Sequence, residues 1–526
     1  MKLKEEAPQY DRLLTDLLLS EKCDLFRGTD GDVYVCIDTM AGKTTLPLDS
    51  QDGLARVTAL FDQEHEYIIS KNDKERGARL AYARVMDKPA REVFLRVGHD
   101  AEAYYLDLHT QPKNYIRFSA DGWNKTDTVP VHFREGQGQL PMQLPVGVSD
   151  DNEGFRTLKG LLTVTDAQWS CLLPLLVSYM LPNIQHPLLL LTGEQNSGKS
   201  TFLEIIKTLV DPNAAMIGGD VPDPRNLFIK VSSTWLPTFD NLSRLDDKQQ
   251  DAVCQIVTGG TYQTRRLWTD KDQVTITCKN PVILSGINNV AGRGDIASRA
   301  VLFELQSIDR QAKLVSAETI TRKLKEAAPS ILRALLNLTC AVLKLQPQIE
   351  APPNVRPAAY GIIGRAVEQA MGWRPGTFEQ AYHVTRQSLH DDVLENSVVM
   401  GSLLRHLAAY KSAGKYKENA DVLLAKLAAN ESDDVTRSRM WPSTAATFGK
   451  TLKNCAPALR KQYGWDAEQT RDMHNRYWKF THNPPKAVAV AATSPAVVAP
   501  LAARLTQPKE SLGQSVRRVR KTKGGR

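Results

Sequence analysis

The stretch 188-LLLLTGEQNSGKSTFLEIIKTL-209 decides the fold of this 526-residue chain. Its first four residues are a continuous apolar run, the pattern of a strand buried on both faces. Gly193, Gly198, Lys199 and Ser200 follow at the spacing G-x-x-x-x-G-K-S. Phe202, Ile205, Ile206 and Leu209 then recur at i, i+3, i+4 and i+7, which predicts one face of a helix. Asp211 and Pro212 end that helix. Glycines let such a loop curl until its N–H groups meet phosphate oxygens, and the helix adds the positive end of its dipole. Gly193, Glu194, Gln195, Asn196, Ser197, Gly198, Lys199, Ser200 and Thr201 are therefore read as a P-loop that binds and hydrolyses ATP. Lys199 is placed against the β- and γ-phosphates, and the Ser200 hydroxyl on Mg²⁺.

Such a site also needs an acid for the Mg²⁺ shell at the end of a neighbouring strand. WLPTFDN at 235–241 offers Asp240. The plainer role for Asp240 is to cap a helix before Leu242. Pro237 is awkward in a central strand, because it removes a ladder hydrogen bond. Asn241 stands where many ATPases of this kind carry a glutamate that activates water. An asparagine can orient water but cannot take its proton, so hydrolysis is expected to be slow or to borrow a base.

The bulk composition is that of a soluble globular protein, 42% apolar and 24% charged. The seven cysteines are scattered and form no C-x-x-C pair, which argues against a zinc ribbon and against a secreted disulfide framework. The ten histidines show no metal-ligand spacing. MKLKEEAPQY at the start has no signal-peptide pattern. CLLPLLVSYML at 171–181 is too short to span a bilayer and reads as a buried helix. The expected location is the cytoplasm of a bacterial host, away from membranes. The net charge is +8, and residues 483–526 carry nine Lys and Arg against one acid. All of the excess therefore lies in the tail, and any nucleic-acid contact by the body needs local placement of charge.

The overall fold class is α/β. Residues 1–155 predict a β-rich N-terminal domain, from DVYVCID, EVFLRVG, YYLDLH, NYIRFS and PVHFRE between turn clusters. Residues 156–345 alternate strands and helices and predict a parallel sheet. Residues 346–430 read as helical, 431–482 as a compact basic and aromatic domain, and 483–526 as a disordered basic tail. Asp107-Leu108-His109 is no paired-carboxylate motif, so primase chemistry is not expected in this chain.

The order of P-loop, FDNLS, TGGTYQTRRLWTD, PVILSGI and RGDIASR resembles the AAA+ ATPases of phages and mobile elements. Those are similar to superfamily-three replicative helicases and to the helicase half of primase–helicases. The resemblance implies a hairpin whose tip enters a ring channel. Arg265, Arg266, Leu267 and Trp268 lead into Thr269–Asp272, and Val274–Thr277 return. Lys271 would then grip a DNA backbone, with Arg265 and Arg266 nearby; otherwise it is a solvated turn lysine. PVILSG matches a sensor strand, whose polar residue is Ser285 or Asn288. Arg299 matches an arginine finger supplied in trans, with Arg293 as a second such arginine; the alternative for Arg299 is a pair with Asp295. The resemblance further implies a homo-oligomer, normally a hexamer.

The 431–482 segment looks like a winged helix. Lys450, Lys453 and Arg476, beside Tyr477, Trp478 and Phe480, suit a DNA backbone, and the alternative is a protein contact. Together these features imply an ATP- and Mg²⁺-dependent DNA helicase or translocase in mobile-element replication, with a separate primase as a conceivable partner. A loader that uses ATP only to assemble on DNA and a protein-remodelling ATPase are the rival functions.

Overall fold

The computed structural model describes residues 9–39, 42–146, 151–265, 273–287, 294–306, 316–395, 398–437, 441–471 and 476–483. A small unit comes first. α1 (Tyr10–Leu18) precedes β1 (Cys23–Arg27), β2 (Val33–Thr39) and β3 (Gly42–Pro47), an antiparallel sheet. α2 (Gln51–His65) and α3 (Lys71–Val85) complete it. Leu14, Leu18, Val35, Val57, Phe61 and Val85 belong to a core of its own. The three helices add to the β-rich reading of this region. α3 buries only Gly77, Ala81 and Val85, so its apolar period is faint in the sequence.

The strands β4 (Val93–Phe94), β5 (Val97–His99), β6 (Tyr104–Asp107), β7 (Tyr115–Ser119), β8 (Gly122–Thr126) and β9 (His132–Phe133) follow. β5 to β8 form an antiparallel meander, and β4 pairs in parallel with β9. Val97, Leu106, Ile116 and Phe118 from the meander share one core with Leu172, Phe202 and Leu335. A domain boundary at 155 therefore cuts through packed side chains. The change of core falls between α3 and β4.

α4 (Asp151–Leu161) and α5 (Asp166–Ser178) lead to the main sheet. α5 opens on a capping box between Thr165 and Gln168, and it is buried from Gln168 to Ser178. Next come β10 (Leu188–Thr192), α6 (Lys199–Val210), α7 (Pro224–Ser232), β11 (Thr238–Leu242) and α8 (Asp247–Thr258). The hairpin β12 (Gly260–Arg265) and β13 (Gln273–Cys278), then β14 (Ile283–Gly286), α9 (Gly294–Arg299) and β15 (Ala300–Glu304), complete this part. The sheet runs β11-β14-β10-β15 with every neighbour parallel. Leu189 and Leu191 of β10 face one core while Leu188 and Leu190 face another, which is why the strand is apolar at every position.

α10 (Ala317–Leu345), α11 (Ala358–Ala370) and α12 (Thr377–Glu395) pack beside this sheet. α10 is long and apolar enough to cross a bilayer, yet 56% of that stretch is buried against the rest of the protein. The last unit holds α13 (Val398–Ala408), β16 (Lys415–Asn419), α14 (Ala420–Ala428), α15 (Asp433–Thr436), α16 (Ala445–Tyr463), β17 (Trp465–Arg471) and β18 (Arg476–His482). Its antiparallel sheet has the order β16-β18-β17, and Tyr416 registers with Phe480. Val399, Leu403, Tyr416, Leu452, Trp465 and Phe480 share its core. This unit and its core begin at α13, so strands and helices before 431 share one core with the 431–482 segment. The strand KYKEN is polar and carries no visible alternation, so the sequence assigned it to the helical region.

His186, just ahead of β10, is buried with neither ring nitrogen hydrogen-bonded among the described residues. Burial, aided by Lys279, pushes its pKa down from 6.5 to about 3. The unfolded chain then binds a proton that the folded one refuses, so stability present above pH 6.5 is lost as pH falls toward 3. Replacing His186 by Leu is expected to flatten this acid limb by up to about 1.4 kcal/mol per pH unit in urea unfolding. An unchanged slope would contradict the assignment.

Candidate functional site

The site lies at the carboxyl end of the parallel sheet, where open α/β sheets bind ligands. β10 ends at Thr192, whose carbonyl accepts Leu305 N–H at 2.8 Å. The chain then turns through Gly193 (φ 150°), Asn196 (φ 69°) and Gly198 (φ 84°). Gly198 caps α6, so the loop feeds directly into the helix N-terminus. A Cβ on Gly193 would lie 2.4 Å from the Leu305 carbonyl oxygen and 2.7 Å from Ser197 Oγ. Glycine is required there by space as well as by conformation.

Lys199 is buried, and its ammonium donates to the carbonyls of Gly193 at 2.7 Å and Glu194 at 2.8 Å. Burial pulls its pKa below the ordinary lysine value, while Asp240 opposes that shift. Ser200 Oγ donates to Asp240 Oδ2 at 2.7 Å. The other carboxylate oxygen accepts Asn241 N–H at 2.8 Å, and Asp240 N–H donates to the Gly218 carbonyl at 2.9 Å. Pairing of β11 with β14 shifts register between Phe239 and Leu242, so Asp240 and Asn241 sit in an irregular stretch. Asn241 has φ 59° and is exposed. Bulges of this kind redirect side chains near functional sites.

Ser285 lies on β14 opposite Leu191 of β10, and Gly286 lies opposite Leu242. Its hydroxyl is buried and has no hydrogen-bond partner among the described residues. Glu194, Gln195 and Asn196 form the exposed tip of the glycine loop, and Thr201 lies in the first turn of α6. Ser197 is buried, and Thr163 ahead of α5 donates to its carbonyl at 3.4 Å. Thr163 has no signature in the sequence, because a lone threonine in a linker carries no pattern.

Arg299 is half-buried at the end of α9. Arg265 ends β12, opposite Gln273. Arg266, Lys271, Asn288 and Arg293 lie outside the described residues. Lys450 on α16 pairs with Asp247 of α8 at 3.0 Å. Lys453 is exposed on α16, and Arg476 is exposed at the start of β18, opposite Arg471. Arg265 thus belongs to the hairpin, whereas Lys450, Lys453 and Arg476 belong to the C-terminal unit.

Among the described residues no cluster of three or more His, Cys, Asp or Glu could hold a metal ion on its own. Ser200 and Asp240 offer one hydroxyl and one carboxylate. That donor set suits Mg²⁺, which keeps most of its water and shares the rest with a phosphate-bearing substrate.

Residues 156–392 match a family model described as actinomycete integrative conjugative element replication protein. Residues 400–495 match the model of the AICE RepA C-terminal domain. Among solved structures, the chain is similar to the A form apo structure of the NrS-1 C-terminal region, at 9% identity and a TM-score of 0.41. That match covers 90% of this chain and 100% of the other. A second apo structure of the NrS-1 C-terminal region (305-718) matches at 9% identity and a TM-score of 0.38, over 91% and 100% of the two chains. Scores this low carry no functional weight. No curated protein matches the chain.

The geometry of the loop makes a direct prediction. Gly193→Ala is expected to cost about 1–3 kcal/mol of stability, through contact and backbone strain. Gly219→Ala, where a Cβ meets nothing within 4 Å, serves as the neutral control. Equal effects of the two in thermal unfolding would refute the crowding described at Gly193.

Proposed function

We propose that this mobile-element replication protein is an ATP-hydrolysing DNA motor, a helicase or translocase that works as a ring of identical subunits. The carrying observation is the Ser200–Asp240 hydrogen bond of 2.7 Å beside a buried Lys199 in the glycine loop. Hydroxyl, carboxylate and ammonium converge at the N-terminus of α6, where phosphate oxygens are favoured.

In this reading Lys199 exchanges its contacts with the Gly193 and Glu194 carbonyls for phosphate oxygens. Loop N–H groups complete the cradle. Ser200 Oγ and the Asp240 carboxylate are the groups that would hold Mg²⁺, whose charge would offset that of the phosphates. The buried Ser285 hydroxyl on the intervening strand fits a donor to phosphate or to the attacking water. Asn241 orients water through its amide but leaves the proton to another acceptor. Arg299 from an adjoining subunit stabilises charge that develops on the transferred phosphoryl group. Hairpin β12–β13 lies between α8 and β14 in the chain, and Lys271, which the sequence puts between its two strands, contacts the DNA backbone in this reading. Lys453 and Arg476 of the winged helix hold DNA outside the channel.

A second reading rests on Asn241. Without a carboxylate base at that position hydrolysis is slow, which suits a loader that assembles on DNA with ATP bound.

Lys199→Ala is expected to lower ATP hydrolysis by about 100-fold or more. On forked DNA the wild-type protein is expected to displace a strand only with ATP. Lys271→Ala should keep basal hydrolysis and lose both DNA stimulation and displacement. ATP turnover without any strand displacement would favour the loader, and full turnover by the Lys199 variant would remove both readings.

A further inference from the structure

Far from the glycine loop, α6 ends on a buried cluster of charge. Lys207 Nζ donates to Asp211 Oδ2 at 2.8 Å and to the Leu236 carbonyl at 2.6 Å. Leu236 N–H donates to the same Asp211 oxygen at 3.0 Å. Arg96, between β4 and β5, donates from Nε to Asp211 Oδ1 at 3.2 Å. Its terminal nitrogens donate to the carbonyls of Asp107 at 3.1 Å, Leu140 at 3.0 Å and Pro212 at 3.1 Å. All three charged side chains are buried.

Two cations share one carboxylate here, and the excess positive charge rests on four backbone carbonyls. Burial pulls both Arg96 and Lys207 below their ordinary pKa values. Burial also resists ionisation of Asp211, but Lys207 and Arg96 outweigh it and hold its carboxyl below the usual range. Such a cluster is a poor source of net stability, because desolvation offsets much of the attraction. Its acceptors lie on separate pieces of chain, so it is well suited to fixing those pieces against one another.

The pieces are the ones that build the site. α6 has 12 residues and carries the chain about 18 Å away from the loop. Leu236 then leads into β11, which runs back to Asp240. Ser200–Asp240 joins α6 to β11 at the loop end, and Lys207 and Asp211 join them at the far end. The two elements form a closed frame with two joints. A slip of α6 along its axis would move Ser200 against Asp240.

We infer that Arg96 is a positioning residue, which anchors the far joint of this frame to the antiparallel sheet and so sets the Ser200–Asp240 geometry. Its catalytic meaning rests on the proposed ATP site, but the mechanical link does not. Arg96 comes from a part of the chain that lies outside the 156–392 family match, yet it touches the end of the helix that begins at Lys199.

Hydrogen exchange on the full chain, with Arg96→Met and Arg96→Lys, tests the link without requiring ATP turnover. In Arg96→Met, amides of 198–203 and 236–242 are expected to exchange about tenfold faster, as a local opening would allow. Those of β15, equally buried in the same sheet, should not change. Arg96→Lys keeps the charge but loses the fork, and should fall between. Faster exchange confined to 93–108, or spread evenly through the sheet, would overturn the inference. If Arg96→Met does not fold, Lys207→Met, which removes the tie to the Leu236 carbonyl, must give the same two-segment pattern. The functional counterpart is the Mg²⁺ dependence of hydrolysis below each melting temperature. A folded Arg96 variant is expected to need about tenfold more Mg²⁺ at similar ATP affinity, since a small misplacement of reacting groups costs rate steeply. An unchanged Mg²⁺ requirement would overturn the positioning role. A wild-type protein with no ATP turnover would instead remove the ATPase reading, and exchange would still decide the link.

Discussion

The hydrogen bond from Ser200 to Asp240 is the constraint on which the site depends. The two residues do not come from neighbouring strands. Ser200 follows β10, Asp240 belongs to β11, and β14 lies between those strands. Two strand spacings amount to about 9.6 Å, so the contact needs both partners displaced from ideal geometry. The glycine loop brings α6 over the sheet end from one side. The irregular pairing at Phe239–Leu242 and the left-handed Asn241 turn the carboxylate toward it from the other. Ser285 then lies on the strand beneath the gap. A buried hydroxyl with no hydrogen-bond partner among the described residues is uncommon, and its placement between the two halves of the site gives it a chemical context.

The same packing explains how a site at the sheet end could act on a distant surface. Hairpin β12–β13 is rooted in the second core through Cys278 and Tyr262, and Tyr262 stacks on Phe228 of α7 at 5.0 Å. α7 and α8 both pack against this hairpin. Charge follows a matching division of labour. The chain up to residue 482 has no net charge, so any contact with a polyanion there rests on local placement of basic residues. Lys450 illustrates the limit of reading charge from sequence, since it is engaged by Asp247 of the sheet domain. Exposed pairs of this type contribute about 0–1 kcal/mol and are easily exchanged for another anion.

Much of this was legible because it rests on strong periodicity. The all-apolar Leu188–Leu191 run, the helix face from Phe202 to Leu209 and the paired arms around 269–272 each match an element. What stayed hidden depended on contacts distant in sequence. α3 packs through small residues and β16 is a polar edge strand, so neither has a clear apolar signature. Arg96 and Asp211 are 115 residues apart, and nothing local marks either as part of one cluster. Lys207 and Asp211 did offer a hint, as an i, i+4 pair of charges at the end of a helix otherwise apolar on that side. Cores that run across residues 155 and 431 were hidden for the same reason. Composition changes at those points, but the packed cores do not.

In the proposed function the glycine loop and Asp240 form one Mg²⁺-nucleotide site in each chain. Calorimetric titration with a non-hydrolysable ATP analogue, with and without Mg²⁺, tests it most directly. One site per chain is expected, with affinity that rises with Mg²⁺ in the wild type, and loss of that Mg²⁺ enhancement in Asp240→Ala while metal-free binding persists. Equal enhancement in the wild type and the Asp240 variant, or no binding at all by a folded wild-type chain, would contradict it.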